Sequence, residues 1–150
     1  NKEFSMNEEE YLEKRLEDQI EWYSKKSQHN QKWYKNLRLT EIISATLIPF
    51  LSGAEDQVPY FAWIIGLLGV LIAVSASAIS LFKFHENWIQ YRTTAEQLKH
   101  EKFIYLTRTE PYHIDEKLSL LVERVESLIS KENSLWAQYI KKQEQMTKKT

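Results

Sequence analysis

An uncharged run of 25 residues, from Val58 to Phe82, constrains the fold more than any other feature of the chain. As an α-helix the run would be roughly 38 Å long, which exceeds the ~30 Å hydrocarbon core of a bilayer. Pro59 suits the first turn of such a helix, and Tyr60 and Trp63 suit the headgroup level. The alternative is a buried helix of a soluble bundle, but an uncharged run this long rarely serves that purpose. The run therefore predicts a transmembrane span.

A shorter apolar segment, Leu39 to Ala54, precedes this run and contains Glu41 near its start and Pro49 inside. The connection between the two segments is short, which allows them to pair as an antiparallel hairpin. Pro49 then predicts a kink. The sequence thus predicts two spans, over 39–57 and 58–82.

Lysine and arginine are concentrated on one side of these spans, whereas the connection carries only Glu55 and Asp56. By the positive-inside rule, both termini are cytoplasmic and this acidic loop faces outward. The absence of cysteine fits a reducing compartment. The basic residues are Lys25, Lys26, Lys32, Lys35 and Arg38 before the first span, and Lys83, Arg92 and Lys99 after the second.

Three amphipathic segments outside the spans predict a cytoplasmic helical bundle. The first, 8–38, carries aromatic residues at a spacing of eleven, which places them on one stripe, and should run directly into the first span. The second, 83–106, continues the second span with apolar heptad positions that only Lys102 interrupts. After a break at Thr107, the third, 114–143, folds back. The predicted fold is therefore one unit, an all-α membrane protein with a two-span hairpin and a cytoplasmic bundle. The residues at this spacing are Tyr11, Trp22 and Trp33, and in a second series the aliphatic Leu12 followed by Tyr23 and Tyr34.

Glu132 occupies a slot of the third heptad stripe where an apolar residue is expected. Either it is buried with a partner, for which Arg92 is the candidate, or it is hydrated near the end of the bundle. The apolar members of this stripe are Ile114, Leu118, Leu121, Val125, Leu128, Leu135 and Tyr139; those of the second are Leu81, Phe84, Trp88, Tyr91, Ala95, Leu98 and Tyr105.

The predicted spans contain two candidate sites. Small residues spaced three or four apart on the second span form a narrow face, which favours close packing against the first span over a water-lined pathway. In an oligomer both can coexist, with serines lining a lumen. Glu41 lies at the inner edge of the first span, where it either lines a cation path or pairs with Arg38 at the interface. The packing residues are Gly66, Gly69 and Ala73, and the candidate pore-lining serines are Ser75, Ser77 and Ser80.

Other classes of function have little support. A net charge of -1 argues against a nucleic-acid partner. Aromatic residues interleaved with lysines on the first segment favour a packing stripe over an RNA site. Glu96 and His100 have the i, i+4 spacing of two metal ligands, but no complete metal motif or activated nucleophile follows. We therefore expect no cofactor, no metal and no enzymatic activity.

The segment after the second span, KFHENWIQYRTTAEQLKHE, resembles the signature of small bacterial two-transmembrane proteins of the SLATT type. Glu132 and Trp136 near the end add to the resemblance. It implies an effector that permeabilises or depolarises the bacterial inner membrane once a cytoplasmic sensor protein signals infection. The matching residues are Trp88, Tyr91, Arg92, Thr94, Glu96, Leu98 and Glu101.

The leading hypothesis is a homo-oligomeric channel or pore-forming effector, because one hairpin cannot enclose a lumen, whereas several around an axis can. The main alternative is a non-conducting membrane scaffold whose cytoplasmic bundle docks a soluble partner. An enzyme, which would need a metal at the His and Glu positions, comes third.

Overall fold

Helix accounts for nearly all of the chain that the computed structural model describes, namely residues 7–54, 58–112 and 116–147. No strand occurs within these ranges, and the predicted all-α class is confirmed. Glu55, Asp56 and Ile114 lie outside the described residues. The elements are α1 (Glu8–Glu10), a π-helical segment (Tyr11–Glu17), α2 (Asp18–Ser52), α3 (Phe61–Phe82), α4 (Phe84–Leu106) and α5 (Lys117–Thr147).

The chain packs as two compact units. We call residues within Asn1–Ser24 and Tyr91–Thr150 the bundle unit, and Lys25–Gln90 the hairpin unit. The bundle unit has its own core of aromatic and aliphatic side chains. Its buried apolar residues are Tyr11, Leu16, Ile20, Tyr23, Ala95, Leu98, Tyr105, Tyr112, Leu121, Val125 and Ile129.

The start of the bundle unit departs from a regular α-helix. Asn7 caps it, since its side-chain oxygen accepts a hydrogen bond from the backbone N–H of Glu10 at 2.7 Å. The π-helical segment follows, and Tyr11 and Leu16, the residues of this segment that are buried, are five positions apart. The hydrogen bonds of a π-helix run i→i+5, and its turn is wider than that of an α-helix, so side chains five positions apart come closer to one face and both reach the core.

The core-facing stripe of α4 differs in part from the predicted one. Ala95, Leu98 and Tyr105 are buried as expected, but the remaining inward positions are Thr94 and Glu101 rather than Lys102. The spacing of Thr94, Leu98, Glu101 and Tyr105 is an unbroken heptad pattern. The expected interruption at Lys102 is therefore wrong, because the carboxylate one residue earlier fills that slot.

The break predicted at Thr107 is confirmed, since α4 ends at Leu106. Arg108 adopts a left-handed conformation with φ 54°. The N–H of Arg108 donates to the carbonyl of Tyr105, and that of Thr109 donates to the carbonyl of Ile104. This pattern is a Schellman motif, which satisfies the last carbonyls of the helix.

In the hairpin unit, α2 continues without interruption through the predicted first apolar segment to Ser52, as expected, and Pro49 lies inside it. Apart from Gln31, the less exposed residues of this part of α2 recur at alternating intervals of three and four, the spacing of a packed helical seam. They are Ser27, Asn30, Tyr34, Leu37, Glu41, Ser44, Ile48 and Leu51.

The predicted continuous helix after the second apolar segment is broken at one residue. Lys83 is left-handed, with φ 49° and ψ 43°, and separates α3 from α4. The side chain of Asn87 donates to the carbonyl of Phe82 at 3.1 Å, which satisfies a group that the break frees. By length and composition, one described helical stretch, Phe61–Leu106, is long and apolar enough to cross a membrane.

Candidate functional site

The hairpin unit carries a broad apolar surface that no described residue covers. Phe50 of α2 and Trp63 of α3 are 77% and 83% exposed. Apolar patches of this extent are rare on soluble monomers and mark contact with a membrane or another protein. The other exposed members are Leu39, Ile42, Ile43 and Leu47 on α2, and Ile64, Leu67, Val70, Leu71, Val74, Leu81 and Phe82 on α3.

The small-residue face of α3 lies open within this surface. Gly66, Gly69 and Ala73 are all exposed. A Cβ atom added at Gly66 or Gly69 would meet no other atom within 4 Å. The expectation that this face packs tightly against the first apolar segment is therefore wrong, because α3 turns its larger residues inward. Those residues are Phe61, Ile65, Leu68, Ile72 and Ile79.

The three candidate serines do not share one face. Ser75 is 4% exposed and belongs to the inward stripe of α3. Ser77 and Ser80 are exposed and continue the open face of Gly69 and Ala73. Only Ser77 and Ser80 thus have the placement that lining a lumen between chains requires.

Glu41 lies on the inward seam of α2 and is partly buried. Its Oε2 accepts a hydrogen bond from Nη1 of Arg38 at 2.7 Å. The hydrogen bond to this carboxylate raises the pKa of the Arg38 guanidinium above its ordinary value. The expected pair of Glu41 with Arg38 is present, whereas its position at a membrane interface and its role in a cation path stay predictions.

Aromatic side chains of α2 and α4 pack against one another next to the apolar segments. The ring of Trp33 stacks on Phe84 with 6.1 Å between centroids, and Tyr34 lies 4.8 Å from the ring of His85. Trp88 lies 5.7 Å from the same histidine. Trp and Tyr are typical of membrane–water interfaces, since their rings combine apolar area with a polar edge.

In the bundle unit, Glu101 is the centre of a buried polar cluster. It is 6% exposed and accepts two hydrogen bonds from Arg124, at 2.6 and 2.9 Å. The hydroxyl of Tyr112 donates to the same carboxylate at 2.5 Å. The ring of Tyr112 in turn lies edge-on to Tyr105 at 5.4 Å. The cluster joins α4, the break after it and α5.

Protonation equilibria in this cluster follow from its geometry. Burial alone raises the pKa of Glu101, but the hydrogen bonds from Arg124 and Tyr112 outweigh it, so the net pKa lies below the ordinary value. Burial and the neighbouring carboxylate raise the pKa of the Tyr112 hydroxyl. The cluster is thus an ionised carboxylate held by a guanidinium and a neutral phenol, and no group in it is poised to transfer a proton near neutrality.

A second ion pair joins the π-helical segment to α5. Arg15 donates two hydrogen bonds to Glu126, both at 2.9 Å, and the hydroxyl of Tyr11 lies 3.5 Å from the same carboxylate. The Arg15 hydrogen bonds lower the pKa of Glu126. Burial raises the pKa of Tyr11 to about 12. Both partners are about two-fifths exposed, so the pair orients the segment more than it stabilises it.

Glu132 is buried, so the alternative of a hydrated carboxylate is wrong. The partner expected for the buried carboxylate is wrong as well. The hydroxyl of Tyr23 donates to its Oε2 at 3.1 Å, whereas Arg92 is exposed. The last core layer of α5 is therefore a phenol–carboxylate contact. Beyond it, Leu135 is half exposed, and the side chain of Tyr139, the last predicted member of the stripe, lies outside the described part.

The remaining residues of the signature lie in different environments. Tyr91 packs against the bundle core, with its ring 5.8 Å from that of Trp22. Glu96 is exposed and pairs with Lys99 at 3.2 Å. Trp136 lies within α5, and its side chain is outside the described part. Among the described residues no group of three His, Asp or Glu could hold a metal ion.

Sequence reasoning missed the two arginines that hold these carboxylates. Arg124 and Arg15 lie beside the apolar stripes of their helices and not on them. A signal was present, since an arginine next to a stripe can reach a carboxylate on a facing helix, but the pairing depends on helix register.

No curated protein and no solved structure matches the chain. A family model described as "Protein of unknown function (DUF4231)" matches residues 18–119, a range that extends from the start of α2 into α5. Because the match covers more than half of the sequence, the chain belongs to this family of proteins of unknown function.

Proposed function

We propose that this protein is a two-span membrane protein whose hairpins assemble around an axis into an ion-conducting pore. The observation that carries the proposal is the open apolar surface of the hairpin unit, with a face of small residues within it. An apolar surface supports insertion, and a small-residue face supports close approach of a second helix in lipid.

Support for the first span comes from α2. Its apolar residues from Leu39 to Phe50 are largely exposed, as residues that face lipid tails would be. Two of its polar residues, Glu41 and Ser44, lie on the inward seam, where they avoid the hydrocarbon. Thr46 is exposed, but its hydroxyl donates a hydrogen bond to the carbonyl of Ile42 in the same helix. The first crossing is the stretch 39–57 of the hairpin.

Support for assembly comes from the open face of α3. A small-residue face gains little from contact with lipid, whereas helices that meet at glycine and alanine approach closely enough for dense van der Waals packing. Adjacent hairpins meet along Gly66, Gly69 and Ala73, and Ser77 and Ser80 continue this face toward the cytoplasmic end.

The resemblance to SLATT-type proteins supports a role as a defence effector of the bacterial inner membrane. In this role the bundle unit receives a signal from a cytoplasmic sensor protein, and the pore depolarises the cell. The two termini then lie in the cytoplasm, on the side of the basic residues that flank the spans.

Ion flux from liposomes that contain the purified protein tests the proposal. The matched variants are Gly69→Leu on the open face and Val70→Leu on the neighbouring apolar surface. Position 69 is exposed, and a Cβ atom there would meet no atom within 4 Å, so we expect Gly69→Leu to leave the monomer folded and to obstruct contact between chains.

We expect flux from the natural protein and from Val70→Leu, and loss of both flux and oligomer mass in Gly69→Leu. Equal flux from all three proteins would contradict assembly along this face. A well-folded oligomer without flux, also in the presence of a cell extract, would favour the scaffold.

A further inference from the structure

The cytoplasmic border of the hairpin unit is strongly basic. Residues 25–41 and 83–90 contain six lysines and arginines against two glutamates, Glu41 and Glu86. We call the six the basic belt: Lys25, Lys26, Lys32, Lys35, Arg38 and Lys83. The belt has a formal excess of four positive charges next to the exposed apolar surface of the hairpin unit.

Two members of the basic belt have charges that the described residues do not neutralise. Arg38 is paired with Glu41. Lys32 and Lys35 are both exposed, and neither forms an ion pair within the described ranges. The Nζ of Lys35 instead lies 6.0 Å from the centre of the Trp88 ring, a cation–π distance that fixes its position without removing its charge.

The depth of these lysines relative to the apolar surface follows from helix geometry. Lys35 is four residues, or about 6 Å of rise, before Leu39, the first exposed aliphatic residue of α2, and Lys32 is about 10 Å before it. The headgroup layer of a leaflet is roughly 5–8 Å thick, so Lys35 lies within it. Lys32 lies just outside it, and its long, flexible side chain can reach the phosphates. Lys35 also shares a helix face with Ile42, and Lys32 shares one with Ile43, because separations of seven and eleven residues are near whole turns.

The aromatic contacts lie at the same level. Trp33, between the two lysines, stacks on Phe84 and is half exposed. An amphipathic ring among lysines is typical of the membrane–water interface. Positive charge and an aromatic ring thus lie together on α2 directly before the exposed aliphatic surface, as in the interfacial layer of a leaflet.

From this arrangement we infer that the basic belt binds the phosphate headgroups of anionic phospholipids, with Lys32 and Lys35 as the main contacts. Juxtamembrane lysines attract anionic lipid because they replace lipid counterions and remain partly hydrated. The inference rests on the proposed insertion of the hairpin in a membrane and is independent of whether the protein conducts ions.

Quenching of tryptophan fluorescence by brominated lipids tests this inference in the full chain. The detergent-solubilised protein is titrated with brominated phosphatidylglycerol and, separately, with brominated phosphatidylcholine. The test variant is Lys32→Gln/Lys35→Gln. The matched control, Lys131→Gln/Lys141→Gln, removes the same charge from exposed positions of α5.

We expect the natural protein and the α5 control to be half-quenched at a lower fraction of phosphatidylglycerol than of phosphatidylcholine. The preference should fall roughly fivefold for each belt lysine removed, and excess inorganic phosphate should not abolish it.

Equal quenching by both lipids, an unchanged preference in Lys32→Gln/Lys35→Gln, or abolition by phosphate would each overturn the inference while leaving membrane insertion intact. Absence of quenching by either lipid would overturn the inserted hairpin as well, because Trp63 is exposed in the second span.

Discussion

At the scale of single residues, the core of the bundle unit contains carboxylates that are buried and hydrogen-bonded to neighbouring side chains. Glu101 is buried, while its partner Arg124 is 44% exposed. This asymmetry matters because a charge at the surface can be hydrated when its partner is lost, and a charge in the core cannot. The two members of the pair should therefore respond differently to substitution.

We predict that Arg124→Gln destabilises the bundle unit by about 3–5 kcal/mol, because it leaves a buried carboxylate without its cation. Glu101→Gln should cost less, about 1–3 kcal/mol, since Arg124 can then turn to water. Urea unfolding followed by circular dichroism measures both. Glu96→Gln, at an exposed carboxylate of the same helix, is the control and should stay within about 0.5 kcal/mol. Equal losses at positions 101 and 124 would contradict the asymmetry.

The same carboxylates predict how stability depends on pH. The hydrogen bonds to Glu101 and Glu126 lower their pKa values below the ordinary 4.5. A carboxylate with a lowered pKa stabilises the folded state above its unfolded pKa, and this contribution is lost as the pH falls through the folded value. The free energy of unfolding should therefore fall as the pH drops below about 4.5. In Arg15→Gln/Arg124→Gln the dependence should flatten, and an unchanged slope would assign the acid sensitivity to other groups.

At the scale of helices, periodicity predicted much of the fold. The heptad pattern of 114–143 identified Leu121, Val125 and the buried slot of Glu132, and the break at Thr107 was confirmed. The π-helical segment was not predicted. A spacing of five between Tyr11 and Leu16 indicates a π-helix only when both side chains are known to be buried. Glu101 was missed as a core position, because periodicity favours apolar residues and its guanidinium partner comes from α5.

Backbone conformation at the helix ends provides a test at this scale. Arg108 occupies a left-handed position that costs an L-residue about 1 kcal/mol and glycine almost nothing. We predict that Arg108→Gly raises the thermal midpoint of the bundle unit. Lys131→Gly, in the interior of α5, should lower the free energy of unfolding by a similar amount and therefore lower the thermal midpoint. If Arg108→Gly lowered the thermal midpoint instead, the side chain of Arg108 would stabilise the bundle unit by more than its left-handed backbone conformation costs.

At the scale of the whole molecule, the sequence identified the apolar segments but not which of their faces stay open. Hydropathy depends on composition, whereas the open face of Gly66, Gly69 and Ala73 depends on which side of α3 turns inward, and tertiary packing decides that. Ser75 shows the limit clearly, since it is two residues from Ser77 and faces the opposite way.

The two-span topology yields a prediction for the intact cell, because the chain has no cysteine to interfere with single-cysteine labelling. If both spans cross, Ala54→Cys between them reacts with a membrane-impermeant maleimide from outside, whereas Ser24→Cys and His100→Cys react only after permeabilisation. If only α3 crosses, positions 24 and 54 lie on one side and 100 on the other. Labelling of position 100 but not 54, or of 24 together with 54, would thus replace the hairpin by a single crossing. Inward-facing Glu41 and Ser44 would then lie at a membrane surface and not within the hydrocarbon.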